Sequence, residues 1–184
     1  MTEPGPRIVV VYAHPTHRLS RVNRRLIEAA MTVPRVQVSN LYETYPDFYI
    51  DVAHEQALLA QADLIVFQHP IQWYSMPSLM KEWIDLVLEY GWAYGRGGNA
   101  LQGKDCWLVA TTGSREDSYR AGGVHGHAFD AFLPPFRQTA ALCGMRWLPP
   151  LILHGAHKVD DPVIDAHIET YRNRLVSYPD IEPD

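Results

Sequence analysis

The sequence predicts an α/β protein built on a five-stranded parallel sheet of order 2-1-3-4-5, with helices on both faces. Strand and helix patterns alternate five times along its 184 residues. The first, third and fourth strands read as continuous apolar runs, as strands covered on both faces must. The second and fifth read as edges. Residues 36–41 alternate in polarity, and Pro149-Pro150 interrupts the fifth, proline being confined to sheet edges. With right-handed crossovers, that strand order satisfies every one of these constraints.

Residues 7–12, R-I-V-V-V-Y, form the first strand, and a loop A-H-P-T-H-R-L leads to a helix beginning near Ser20, with Val22, Leu26 and Ala30 on one face. After the second strand, Tyr42–Asp51 is an aromatic loop, too rich in rings to be idle chain, and a short helix spans Ala53–Gln61. The third strand is Leu64–Phe67. The helix after it has legible ends: Ser75 as cap, Pro77 early in the first turn and Gly91 as left-handed stop. Leu79, Trp83 and Val87 recur every four residues beside Met80, Ile84 and Leu88, while Lys81, Glu82, Asp85 and Glu89 take the opposite side. A glycine-punctuated loop leads to the fourth strand, Cys106–Ala110. Thr111–Phe132 has no clear period, and so long a loop is usually functional or mobile. A helix from about Pro135 to Cys143 stops at Gly144, and Trp147–Leu153 is the last strand. The final helix starts after Asp161-Pro162, with Ile164, Ile168, Tyr171 and Leu175 inward.

Length and a 47% apolar composition fit one domain over residues 1–184 with a substantial core. A net charge of -5 without a basic run argues against nucleic-acid binding. No stretch reaches the roughly 20 apolar residues needed to span a bilayer, and the N-terminus lacks a signal region, so a cytoplasmic location is expected. Cys106 and Cys143 sit in apolar surroundings and read as buried free thiols.

In parallel sheets, ligands bind beyond the carboxyl ends of the strands, where strand order reverses. Here that point lies between strands one and three. The loop after strand one supplies Ser20, Arg21, Val22 and Asn23 at a helix start, a setting for a phosphate. The loop after strand three carries Gln72, Trp73 and Tyr74, suited to a flat ligand. The loop after strand four offers Thr111, Thr112, Gly113 and Ser114, whose backbone can approach a heterocycle. Taken singly these are an ordinary cap, an aromatic plug and a turn; together at one switch point they are a site. No Walker lysine and no G-x-G-x-x-G is present.

The stretch Q-H-P-I-Q-W-Y-S-M-P-S-L-M-K-E-W-I-D, with A-H-P, Y-P-D-F-Y-I-D and T-T-G, resembles the flavodoxin-like NAD(P)H:quinone oxidoreductases, and most of all the ancillary subunits of bacterial glutathione-regulated potassium efflux systems. The resemblance runs from Arg7 to about Leu175. It implies FMN, rather than FAD, held by Ser20–Asn23 and His14 at the phosphate, and by Ile71–Tyr74 and Thr111–Ser114 at the ring. It also implies NAD(P)H as co-substrate, a quinone acceptor and a ping-pong, two-electron hydride transfer. Tyr119 and His125 match residues that balance charge during that transfer, and Ser114 stands where many members have glycine. A two-fold dimer is implied too, and Tyr42, Tyr45, Phe48, Tyr49 and Trp92 are rings that a monomer's loops would struggle to hide. A second reading is a regulatory subunit, peripheral at the inner face of the membrane on a potassium efflux transporter, with flavin structural or sensory.

His125-x-His127 lacks further ligands at zinc spacing. His54, His157 and His167 read as helix or surface residues, and no G-x-S-x-G elbow supports a hydrolase.

Overall fold

The computed structural model describes residues 5–180. Its parallel strands are β1 (Ile8–Tyr12), β2 (Val36–Asn40), β3 (Leu64–Pro70), β4 (Asp105–Thr111), β5 (Arg146–Trp147) and β6 (Leu151–Leu153). The path runs β2-β1-β3-β4-β5, with β6 also on β4, so the expected order is observed with its fifth strand in two pieces. Proline has no N–H for a ladder, and Pro149-Pro150 lies between the pieces.

Successive side chains on a strand point to opposite faces, and the core divides accordingly. Val9, Val11, Ile65 and Phe67 pack with α3 (Val52–Gln61), α4 (Ser78–Val87) and α5 (Pro134–Leu142). Ile8, Val10, Leu64, Val66 and Trp107 pack with α1 (Asn23–Ala30) and α6 (Asp161–Ser177). The sequence stripe Leu79–Trp83–Val87 is fully buried, as the four-residue spacing requires. Trp83 alone stabilises the fold by about 2–3 kcal/mol through its apolar surface.

Three polar groups tie the layers together. Glu55, on α3, is buried and accepts from Ser39 Oγ, Tyr45 Oη at 2.8 Å and Trp83 Nε1 at 2.9 Å, joining β2, its following loop and α4. Asp105 accepts a bidentate pair from Arg146 at 2.6 and 2.7 Å and a bond from Tyr178 Oη. Gln68 donates to the carbonyl of Asn23 and accepts from Tyr171 Oη.

The sequence expectations shift in five places. Ser75 does not cap a helix: its backbone N–H and C=O are both spent on Gln72, and α4 begins after Pro77. Gly91 is left-handed, with φ of 86°, yet it stands in a later turn because α4 ends at Val87. The first helix starts at Asn23, after a short 3-10 turn at His17–Leu19. Within the aromatic segment, α2 (Leu41–Thr44) folds Tyr45 into the core, so that ring is not available to an interface. The unpatterned loop holds 3-10 turns at Glu116–Ser118 and Phe129–Phe132.

Candidate active site

The carboxyl ends of β1, β3 and β4 are stitched to one another, which brings their loops together. Ala13 N–H donates to the Gln68 carbonyl at 3.1 Å, and Ile71 N–H to the Thr111 carbonyl at 2.7 Å. The loops enclose a cavity of about 380 Å³. From the first come His14, Ser20, Arg21, Val22 and Asn23; from the third strand's loop, Ile71 and Gln72; from the fourth, Thr111, Thr112 and Gly113. Trp73, Tyr74, Ser114, Tyr119 and His125 are not on its wall.

At the helix start, Ser20 Oγ accepts from Asn23 N–H at 3.0 Å, the ordinary bond of a serine cap. The Asn23 side chain is buried and donates to Thr111 Oγ1 at 2.8 Å, linking two of the loops. Among the described residues its Oδ1 has no partner. A hydroxyl can donate as well as accept, so a half-turn of the amide would keep the Thr111 bond and present N–H₂ instead. The Arg21 guanidinium is drawn away to Asp161 at 2.7 Å. Among the described residues, the backbone N–H groups of Arg21 and Val22 donate to nothing within the chain. A helix start with free N–H groups, and no carboxylate among the described residues of the wall, suits an anion.

In the second loop, Gln72 and Ser75 exchange both backbone bonds around Trp73 and Tyr74, whose φ angles are 48° and 63°. Two successive bulky residues in the left-handed region cost about 1–2 kcal/mol each. Trp73 is 93% exposed, so it recovers none of this by packing within the chain. Strain of that kind is held at ligand sites. The third loop is rigid: Thr112 Oγ1 donates to the Ser114 carbonyl at 2.7 Å and lies 2.9 Å from His154 Nδ1. With its proton committed to the carbonyl, the hydroxyl accepts from His154, which therefore carries hydrogen on Nδ1.

Tyr119 and His125 come together beside this site. Their rings stack at 4.2 Å, and His125 Nδ1 lies 3.5 Å from Tyr74 Oη. Tyr74 stacks on Phe132, so the long loop is held against the strained turn. His125 Nε2 is shielded from solvent and has no partner among the described residues. An unspent buried ring nitrogen is costly unless something else completes it.

His14 accepts from Thr16 N–H on Nδ1 at 3.2 Å. Burial first, then the nearby His17 and His157, hold its imidazole down to about 4. The same causes leave it neutral at pH 7, with its hydrogen on Nε2.

Sequence reasoning missed the contribution of the loop after β6. His157 lines the cavity, and His154 steadies Thr112. The rule that pointed to three loops, that sites gather at strand carboxyl ends, applies equally to this fourth one. His157 is exposed, as a surface residue should be, and the structure adds that it lies over the cavity.

Comparison with known proteins places these features in context. The chain is 46% identical over 171 residues to the glutathione-regulated potassium-efflux system ancillary protein KefF of Klebsiella aerogenes, covering 93% of this chain and 96% of that protein. It is 34% identical to general stress protein 14 of Treponema denticola, whose crystal structure is a complex with FMN; the match covers 94% and 97% of the two chains with a TM-score of 0.83. An NADPH-quinone reductase from P. pentosaceus superimposes with a TM-score of 0.84 at 26% identity, over 93% and 98%. The family described as having a flavodoxin-like fold matches residues 6–175, and the chain belongs to it.

Proposed function

We propose that this protein is an FMN-dependent NAD(P)H:quinone oxidoreductase that works by ping-pong, two-electron hydride transfer. The observation that carries the reading is the convergence of the loops after β1, β3 and β4 on one cavity with unspent N–H donors and, among the described residues, no acidic side chain on its wall. The likeness to an FMN complex and to a quinone reductase supports it.

The donor set fits a flavin phosphate at one end: Ser20, the N–H groups of Arg21 and Val22, Asn23 and the Nε2–H of His14. At the other end, Ile71, Gln72, Thr111, Thr112 and Gly113 offer a slot with backbone groups along its edge, and Ser114 follows just beyond its wall. Bound flavin supplies the hydride chemistry. Trp73 and Tyr74 shape the mouth of the slot and exclude water from it. Tyr119 supplies a phenolic donor, and His125 has a free ring nitrogen that can hold a proton where negative charge gathers.

Purified protein should be yellow with non-covalent FMN, and should turn over NAD(P)H with a soluble quinone along parallel double-reciprocal lines. A colourless protein that neither binds FMN nor reduces quinone would remove the reading.

A second reading rests on the 46% identity to a potassium-efflux ancillary protein: docking on the cytosolic face of such a transporter, with flavin structural or sensory. Among the described residues no helix is long and apolar enough to cross a membrane, which is consistent with a peripheral seat. Normal flavin binding with no quinone turnover would favour this second reading.

A further inference from the structure

Two histidines from different loops stand on the same cavity wall, His14 after β1 and His157 after β6. His14 spends Nδ1 on Thr16 N–H, so it meets the cavity as a neutral donor; protonating Nδ1 would break that bond. His157 is different. It makes no hydrogen bond within the described residues, and its ring lies beside Gly113, where an added Cβ would come 3.5 Å from it. That places it over the small-residue loop, on the same cavity as the start of α1.

The charged and titratable groups around it are few. His17, in the first loop, is engaged with Tyr12 Oη at 2.7 Å. Arg21 is paired with Asp161. Lys158 follows in His157's own loop, and the β4 side presents Thr112 and Gly113, which carry no charge. Among the described residues no carboxylate lines the cavity to satisfy a second cation.

We propose that His157 is a phosphate ligand of the flavin site and the group that takes up a proton as the phosphate enters, with His14 remaining neutral. This rests on the flavin reading above and extends the phosphate pocket to a loop outside the three that define it. An ordinary imidazole titrates near pH 6.5, and a phosphate dianion at contact distance favours its charged form. The resulting bond is charge-assisted, roughly twice as strong as a neutral one. Capture of the phosphate is thereby coupled to pH, while His14 contributes equally at every pH above its own low range.

The test compares FMN with riboflavin, which lacks the phosphate, on flavin-stripped protein by fluorescence quenching between pH 6 and 8.5. The ratio of wild-type to variant affinity at each pH cancels the phosphate's own titration. His157→Gln should weaken FMN about tenfold at pH 6 and about threefold or less at pH 8.5, leaving riboflavin unchanged. His157→Lys, a permanent cation over this range, should restore FMN affinity at pH 8.5. An equal loss for both flavins, or a ratio that does not change with pH, would overturn the assignment. Wild-type protein that bound neither flavin would instead remove the flavin reading, and this inference with it. Because His157 is an exposed loop residue, the variants should melt like wild type, which separates binding from folding.

Discussion

At the scale of single residues, the structure changes what some substitutions report. Ser20 and Asn23 look from the sequence like a matched pair of phosphate ligands. The fold instead gives Asn23 a second duty, since its amide ties the first loop to Thr111. Ser20→Ala with Asn23→Ala should weaken FMN binding, and Asn23→Ala alone should also loosen the β4 loop, which hydrogen exchange at Thr112 would show. Tyr119 and His125 are the sharper test of catalysis. They stack on each other, His125 contacts Tyr74, and neither is on the cavity wall, so FMN should stay bound without them. Tyr119→Phe and His125→Gln should each slow flavin reduction by NAD(P)H about tenfold in stopped flow, less than a best-case oxyanion donor because the flavin carries most of the chemistry. Wild-type rates in both variants would end their catalytic role.

At the scale of elements, the turn Gln72–Ser75 trades stability for a site. Trp73→Gly removes the cost of a left-handed tryptophan and gives up almost no packing, so flavin-free protein should gain about 1 kcal/mol in urea unfolding. The same change should lower flavin or quinone affinity. A loss of stability would show that the turn is not strained. Glu55 works the other way. It collects donors from β2, the aromatic segment and α4 in the dry interior. Glu55→Ala strands those donors and should cost about 3 kcal/mol or more by the same measurement.

At the scale of the whole molecule, two properties follow from what is buried and what is not. His69 is completely buried, its Nδ1 lies 2.9 Å from the Pro70 carbonyl, and burial pulls its imidazole down to about 4. The unfolded chain, where histidine titrates near 6.5, then binds more protons than the folded one. The His69 contribution to stability is therefore full above about pH 6.5 and is lost as pH falls toward 4, and His14 and His167, also held down to about 4, act in the same sense; His69→Leu should lessen the decline in pH-dependent unfolding. The second property is assembly. Leu19, Tyr49, Trp73 and Val124 are each more than four-fifths exposed, and they stand in the loops after β1, β2, β3 and β4 at one end of the sheet. We propose that this end is covered by a second copy; light scattering at micromolar concentration should return twice the 20.9 kDa chain mass. A monomer mass would leave those side chains to another partner.

Much of the fold was legible in the sequence. Continuous apolar runs, an alternating edge and Pro149-Pro150 specify which strands are central and which are not, because burial on one face or two leaves different residue patterns. The switch-point rule then selected the loops, and ten of the residues singled out for cofactor binding do meet on one cavity. What the chain alone could not determine depends on contacts between segments far apart in sequence. Ser75 has the chemistry of a cap, yet a turn closed with Gln72 took both of its backbone groups first. Tyr45 looks like an interface ring until Glu55, ten residues on, draws its hydroxyl inward. His157 has no local pattern that separates it from any surface histidine. Only the arrival of β6 beside β4 brings it over the pocket, because a parallel sheet gathers every strand's carboxyl end at one edge, whatever their distance along the chain.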